Sequence, residues 1–371
     1  MKKSLIKLTA LMFAVILVFT SGIVFSPLSN ANADVVSEAV VNGGFETDGE
    51  SYDFYGTTCV NPHGWVALSK GIANLDSAVK YDGEKSVKLS SSSNFSFSAQ
   101  SNFQVENNSY YEFGFMVYTT SLEKISVGLE VVIYNSKGVS EKICSVTEFF
   151  PTEINAWEKV SVFGGTSDDA KSAHFTIKFA HTGKKGCYID GVFMQKQDVV
   201  SIKEGASVRL SGTSSGIRFS GAVDKNVYEK FENEYSNVCV GIVIIPKVYY
   251  DDLTDFTFAE LDKEKMVRLD IVAEKWNNTK SLDTDGFYGF NCAMINIKKA
   301  NIVQKFCARA YLRYTENGVV KYVYSDFNVV DNVRSIQEVA KSVMEKEGND
   351  CLPEEKTVLE YYISGGATTL E

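Results

Sequence analysis

The sequence predicts two domains in one chain, an all-β antiparallel sandwich followed by a mixed α+β domain. Three observations carry this expectation. From Val35 to Met194, short apolar segments alternate with turn signals at Gly43-Gly44, Asp82-Gly83, Asn107-Asn108, Ser136-Lys137-Gly138, Asp168-Asp169 and Lys185-Gly186, with no helical periodicity. After a short polar stretch, Gln195 to Val200, strand-like runs mix with amphipathic helical patterns. The length of 371 residues exceeds what one core ordinarily fills.

Lys2, Lys3 and Lys7 precede an apolar run from Leu8 to Phe25, which ends in Ala31-Asn32-Ala33. A basic region, an apolar region and an A-x-A site read as a secretory signal over residues 1–33, cleaved after Ala33; a retained anchor is the alternative. The sandwich then spans residues 34–196 and the α+β domain residues 197–371. Acidic residues outnumber basic ones 47 to 37, and loss of the three leader lysines leaves a net charge of about −13. Such a surface argues against nucleic acid or anionic lipid as a partner, and the lack of a second apolar stretch of spanning length argues against membrane insertion once the signal is gone. It suits a secreted, extracellular protein.

Seven cysteines stand at positions 59, 144, 187, 239, 292, 307 and 351 without a C-x-x-C spacing. Metal and thioredoxin readings therefore lack their pattern, and small buried hydrophobes are the simpler expectation. The exported compartment also permits one or two disulfides, Cys59 with Cys187 or Cys144 among them.

Period-2 alternation separates the faces of the strands. In Tyr110–Tyr118, Tyr111, Phe113, Phe115 and Val117 alternate with Tyr110, Glu112, Gly114, Met116 and Tyr118. In Val127–Tyr134, Val127, Leu129, Val131 and Ile133 alternate with Gly128, Glu130, Val132 and Tyr134, and Phe175, Ile177 and Phe179 alternate with His174, Thr176 and Lys178. One set makes a core. The other carries aromatics, carboxylates and glycines, the groups that bind sugars by ring stacking and hydroxyl hydrogen bonds. The candidate ligand-binding residues are Tyr118, Tyr134, Glu112, Glu130 and Lys178, with Tyr52 and Tyr55 from a loop. The outward face is either a groove lined by Tyr118 and Tyr134 or a flat solvated sheet.

Asn42-Gly43-Gly44-Phe45-Glu46, Gly64-Trp65, Tyr81 through Leu89, Tyr110-Tyr111-Glu112-Phe113, Trp157 and Tyr188-Ile189-Asp190-Gly191-Val192 follow in order along the first half. This series resembles the landmarks of family 4/9 and family 22 carbohydrate-binding modules, which implies a galactose-binding-like jelly roll whose first strand, Val40–Gly49, meets its last, Tyr188–Met194. In those modules a structural calcium commonly bridges the two. The resemblance implies Ca²⁺ held by the side chains of Glu46 and Asp190 and the carbonyls of Gly44 and Lys85; the alternative is that Glu46 accepts hydrogen bonds from turn amides. Trp65 and Trp157 match landmarks that are more often core than platform.

The second half predicts two strands around a Ser/Gly turn in Ser207–Val223, a helix at about 227–235, a buried strand ending at Pro246, strands in Val267–Trp276 and Tyr288–Ile297, a helical turn at Ile302–Phe306, and a hairpin on Asn317-Gly318. Two helices close the chain: Asn332–Lys346, capped by Asn332 or Asp331 and stopped by Gly348, and Glu354–Ile363 after Pro353. The GIRFSG stretch, Ile244-Ile245-Pro246 and Arg334-Ser335-Ile336 are vaguely similar to an uncharacterised domain of secreted Firmicutes proteins, a resemblance that implies a glycan-handling setting and no activity.

All three histidines lie in the first half, so a self-contained Ser-His or Cys-His nucleophile is excluded from the second, and phosphate-loop and HExxH patterns are absent. DTDG at 283–286 misses the spacing of a calcium loop and reads as a polar turn. The expected function is a secreted, non-catalytic carbohydrate-binding protein, with a poly- or oligosaccharide as partner and no catalytic residues assigned. Two alternatives stand beside it: a glycan-active hydrolase using an acid pair from Asp251, Asp252, Asp255, Glu260 and Asp270, and a surface adhesin or scaffold component.

Overall fold

The computed structural model describes residues 40–368 except 55–56, 69–71, 91–93, 122–124, 182–186, 211–213, 275, 277–285 and 349. The leader, Tyr55, the turn at Lys185-Gly186 and all but the last residue of DTDG thus lie outside the described residues. Among the described residues no helix is long and apolar enough to cross a membrane.

The first half contains β1 (Asp48–Phe54), β2 (Thr57–Pro62), β3 (Trp65–Ala67), β4 (Ile72–Asp76), β5 (Ser86–Ser90), β6 (Phe95–Ala99), β7 (Phe103–Gln104), β8 (Tyr110–Thr119), β9 (Ile125–Asn135), β10 (Ser140–Phe149), β11 (Trp157–Gly165), β12 (Ala170–His181) and β13 (Cys187–Lys196). They form a jelly-roll sandwich. Sheet 1 has the order β10-β9-β12-β6-β3 with β7 beside β12, and sheet 2 the order β11-β8-β13-β5-β4. Phe97, Leu129, Val131, Phe175 and Ile177 of sheet 1 meet Val87, Leu89, Phe113, Phe115 and Ile189 of sheet 2 in one core. Strand periodicity puts these residues on one side of each strand, as the alternation predicts.

The stretch around Asn42 departs from its expected strand. Val40–Phe45 runs through turns, with Asn42 (φ 52°) and Phe45 (φ 56°) in the left-handed region, and the first strand starts at Asp48 and pairs with β2. Asn42 itself causes this: its amide donates to Thr47 O at 3.1 Å and His63 O at 3.0 Å and accepts from Thr47 N at 3.0 Å, which satisfies the loop without a ladder. The loop still reaches the last strand, because Val192 N donates to Gly43 O at 2.9 Å. It also plugs the sandwich with Phe45, fully buried against Trp65 at 5.6 Å and Phe97 at 6.0 Å.

The second half contains β14 (Val200–Ile202), β15 (Ser207–Arg209), β16 (Gly216–Asp224), α1 (Lys225–Glu234), β17 (Ser236–Pro246), α2 (Lys247–Tyr250), α3 (Phe258–Lys263), β18 (Leu269–Val272), β19 (Phe287–Ile295), β20 (Phe306–Glu316), β21 (Val319–Tyr324), β22 (Val333–Arg334), α4 (Ile336–Glu347) and α5 (Pro353–Ile363). In sheet 3, β14 and β15 line one edge of β16 and β19 the other; in sheet 4, β18-β17-β20-β21 run in order with β22 beside β20. Ile217, Phe219 and Val223 meet Val240, Ile242 and Leu312 between these sheets, and Ile336, Val339, Val358 and Leu359 of the closing helices join the same core. The β20–β21 hairpin turns on Asn317 (φ 52°) and Gly318 (φ 80°), the expected left-handed pair.

Two local expectations fail. Helix α4 starts at Ile336 rather than Asn332, because Ser335 and Glu338 form a capping box that outcompetes the earlier caps while Val333 and Arg334 pair with β20. The helical turn near Ile302 is a 3-10 turn over Lys299–Asn301, and Phe306 already belongs to β20.

The halves meet through aromatic residues. Tyr110, outward on β8, stacks on Phe163 at 5.9 Å and meets Phe231 of α1 at 5.0 Å, so it belongs to the second core. Part of the outer face of sheet 2 is thereby covered.

Candidate functional site

The candidate sugar-binding residues divide between opposite sides of the sandwich. Tyr118 and Glu112 lie on the outer face of sheet 2, whereas Tyr134, Glu130 and Lys178 lie on the outer face of sheet 1, since the residues between them fill the one core. Of the two forms the sequence leaves open, a groove lined by both Tyr118 and Tyr134 is thereby excluded. Alternation reports that a residue faces away from the core but not which of two sheets it belongs to.

On sheet 1 the outward residues form connected rows. Glu130 stands between Ser145 and Thr176, and Thr176 pairs with Ser98; in the next row Gly128 pairs with Lys178, which pairs with Ser96. Lys178 Nζ donates to Glu130 Oε2 at 2.6 Å, with both side chains part-exposed. His174 Nδ1 lies 3.0 Å from Asn102 Oδ1 and Nε2 lies 2.9 Å from Ser98 Oγ, which in turn lies 3.0 Å from Thr176 Oγ1. Burial holds the His174 ring below the ordinary histidine range. Tyr134 is half-buried nearby, opposite Ser140 and Ser172. The pattern HFTIKF already set His174 beside Lys178; Asn102 and Ser98 join them from strand pairing that no local motif announces.

On sheet 2, Glu112 is buried at 7% exposure and takes Lys159 Nζ at 2.7 Å. A carboxylate so covered and paired is not presented to a sugar, which corrects its assignment. Tyr118 belongs to a ring cluster with Trp157 at 5.3 Å and Tyr188 at 6.0 Å, and Tyr81 meets Trp157 at 5.7 Å. Trp157 is thus an outward residue and not core, while Trp65 is 1% exposed inside the sandwich. The rings meet at steep angles of 47°, 77° and 66°, so much of each face is used on a neighbour. Trp157 Nε1 donates to Lys80 O at 3.2 Å and Tyr118 OH donates to Asn155 Oδ1 at 3.2 Å, which ties the cluster to two loops.

Tyr52 is removed from the candidate set by its own bonds. Its hydroxyl accepts from Ala73 N at 3.0 Å and donates to Ala73 O at 3.2 Å, clamping β1 to β4, and burial raises its pKa.

Glu46 and Asp190 converge on the turn at 81–85. Asp190 is fully buried; its Oδ2 accepts from Tyr81 N at 2.8 Å and Asp82 N at 3.3 Å, and its Oδ1 from Gly191 N at 2.7 Å. Glu46 Oε1 accepts from Glu84 N at 3.0 Å and Lys85 N at 3.2 Å. Burial, and to a smaller degree the charge of Glu46, raises the Asp190 carboxyl to about 6. Two hard carboxylates on one turn are the donor chemistry a divalent cation takes. Three of the four carboxylate oxygens are nonetheless engaged by N–H donors, Lys85 supplies an ammonium to the Glu46 main-chain carbonyl at 3.0 Å, and the described residues hold no group of three or more His, Cys, Asp or Glu side chains suited to a metal. A cation fits here only by displacing amide contacts.

In the second half four of the five proposed acids are occupied, and Asp252 is exposed without a side-chain partner among the described residues. Asp251 pairs with Lys247 at 2.6 Å, Asp255 with Arg309 at 3.2 Å and Glu260 with Lys263 at 3.0 Å, while Asp270 accepts from the Tyr311 hydroxyl. A cavity of about 490 Å³ is lined by Lys305, Arg334, Lys346 and Ser342 with a single carboxylate, Glu338. That carboxylate is bound by Lys305 at 3.0 Å and serves the α4 cap. None of the seven cysteines is in a disulfide among the described residues.

No protein-family model matches the chain, and no curated protein matches it. Solved structures similar to it include a family 61 carbohydrate-binding module in complex with β-1,4-galactotriose, at 16% identity over 43% of this chain and 98% of that chain, with a TM-score of 0.32. The CBM22-1 xylan-binding domain from Paenibacillus barcinonensis Xyn10C is 13% identical over 37% of this chain and 87% of that one, with a TM-score of 0.26. The C-terminal family 22 module of Clostridium thermocellum Xyn10B is 12% identical over 42% and 95%, with a TM-score of 0.26.

Proposed function

We propose that this chain is a secreted, non-catalytic carbohydrate-binding protein that holds a poly- or oligosaccharide on the outer face of sheet 1. One observation carries the reading: the Asn102–His174–Ser98–Thr176 run of hydrogen bonds lies on the same face as the Glu130–Lys178 pair. Sugar hydroxyls need both donors and acceptors at fixed positions, and a preformed network supplies both at low ordering cost. Neutral His174, its protonation disfavoured by burial, adds no charge to repel or attract. Tyr134 offers ring area at the margin.

The ring cluster of Tyr118, Trp157 and Tyr188 supports a second location for the sugar, on sheet 2, with Lys88 5.5 Å above the Tyr188 ring. Its mutual edge-on packing favours it less. The hydrolase alternative requires two free facing acids, and the engagement of Asp251, Asp255, Glu260 and Asp270 speaks for binding over catalysis. A structural Ca²⁺ at Glu46 and Asp190 belongs to the same proposal, supported by the convergence of two carboxylates on one turn.

The test is binding of the full chain to a panel of soluble polysaccharides, with Glu130→Gln and His174→Ala compared against Trp157→Ala. Loss in the first two alone places the sugar on sheet 1, and loss in the third alone moves it to sheet 2. Flat isotherms on every glycan would sink the function.

A further inference from the structure

The chain has six arginines, all in its second half. Arg268, Arg309 and Arg313 are paired with Asp262, Asp255 and Asp270 at 2.6, 3.2 and 3.7 Å. Arg209 and Arg218 have no ion pair with any described residue, and they sit together. In the β15–β16 register Ser207 is opposite Arg218 and Arg209 is opposite Gly216, which makes the two arginines diagonal neighbours on one face, with Cα atoms roughly 7–8 Å apart. Val208, Ile217 and Phe219 on the other face are buried in the core, so both guanidinium groups are carried on the outer face of sheet 3.

This arrangement costs stability. Two cations on adjacent strands repel, and Arg209 Nε is buried without a hydrogen-bond partner, a donor whose desolvation nothing returns. Burial, then the charge of Arg209, makes protonation of Arg218 harder than for an ordinary arginine. In a chain with ten more acidic than basic residues, an acid to neutralise them was available many times over. The flanking positions bring no acid: Arg218 has Ser207 on one side and Ala293 on the other, and Arg209 is opposite Gly216. Beyond Arg218, Ser220 Oγ and Asn291 Oδ1 form a polar pair at 2.6 Å.

We infer that Arg209 and Arg218 form an anion-binding site on the outer face of sheet 3, which takes a carboxylate, sulfate or phosphate group of a ligand. Planar guanidinium groups grip such oxoanions in a bidentate manner, and one anion bound at their terminal N–H groups would end the repulsion. The site is independent of the sugar face on sheet 1.

The experiment uses the full chain, with sodium sulfate, sodium phosphate and sodium glucuronate titrated at constant ionic strength against sodium chloride. Calorimetry should give saturable binding of at least one oxoanion and none of chloride, weakened about tenfold or more in Arg218→Gln and abolished in Arg209→Gln/Arg218→Gln. In chloride alone the double variant should unfold at a temperature no lower than the native chain, because repulsion is removed; a purely structural role predicts the reverse. Binding of glucuronate alone identifies a sugar acid, and binding of sulfate or phosphate alone an esterified ligand. Should the glutamine variants misfold, Arg218→Lys keeps the charge and loses the fork, and is expected to bind about tenfold more weakly. No saturable binding, or equal binding by native and variant proteins, overturns the proposal.

Discussion

Lys142 and Glu316 are 174 residues apart in the sequence, and Lys142 Nζ lies 2.9 Å from Glu316 Oε1. Glu316 takes a second ammonium from Lys321 at 2.7 Å, and Lys142 also lies 5.7 Å from the Tyr235 ring. All three ionic side chains are at most 17% exposed. The bond joins β10 of the sandwich to β20 of the second half beside the Tyr110–Phe231 contact, so charge pairing and ring packing hold the same junction.

Glu316→Gln should destabilise the protein by about 3 kcal/mol, because it leaves two buried ammonium groups without their acid. Burial acts to raise the Glu316 carboxyl, but the hydrogen bonds from Lys321 and Lys142 outweigh it and hold it below the ordinary glutamate value. A lowered carboxylate pKa contributes stability that is present above the unfolded value and lost as pH falls through the folded one. Denaturant unfolding should therefore show the native advantage over Glu316→Gln at pH 7 and its decline below about pH 4.5. Equal unfolding midpoints at pH 7 would remove the junction role.

His174→Gln should weaken glycan binding about tenfold while leaving the fold intact, since Gln lacks a geometry that reaches both Asn102 and Ser98. The native ring is held below the ordinary histidine range by burial. The unfolded chain binds its proton first on acidification, so the contribution of neutral His174 to stability is present at pH 7 and is lost as pH falls below about 6.5 toward the folded value. Binding measured across pH 5–8 should follow the same direction.

Asp190 titrates in the opposite sense. With its carboxyl raised to about 6, the folded protein binds the proton more readily than the unfolded chain, and stability is lost as pH rises from about 4 to about 6. Measured in EDTA, this loss should be on the order of 2–3 kcal/mol and absent from Asp190→Ala. Added calcium at pH 7 should restore it and raise the melting temperature of the native protein alone. If calcium gives the native protein and Asp190→Ala equal shifts, the turn amides are the only partners of these acids.

Gly43→Ala should destabilise by about 1–3 kcal/mol, because a Cβ there runs into the Val192 carbonyl, a backbone atom that cannot rotate away. The same change should lower the unfolding midpoint without altering glycan affinity, since the contact lies at the seam and not on the outer face of sheet 1. A native-like midpoint would show that the seam has slack.

Much of the fold was legible because it rests on local periodicity. Phe113, Phe115 and Val117, or Leu129, Val131 and Ile133, alternate so regularly that their burial follows from strand geometry alone. Asn317-Gly318 specified its hairpin through backbone preference. The Asn42 loop was misread because apolar residues around a Gly pair look like a strand ending in a turn. Only the contacts of the Asn42 side chain with Thr47 and His63 show that the ladder is absent. The start of α4 was misplaced for a related reason: several residues there can cap, and the Glu338 side chain selects Ser335.

The sequence by itself determined two segments of different character and which strand positions face inward, since these follow from residue type and a period of two. The tertiary structure alone decided which outward residues share a surface. Tyr118 and Tyr134 have the same pattern and lie on opposite sheets, Glu112 is closed off by Lys159, and Ser98 and Asn102 meet His174 across strands more than seventy residues apart. The physical reason is that alternation fixes a side chain relative to its own strand, whereas a site is made by the order in which strands hydrogen-bond, and that order depends on long-range pairing that no short motif encodes.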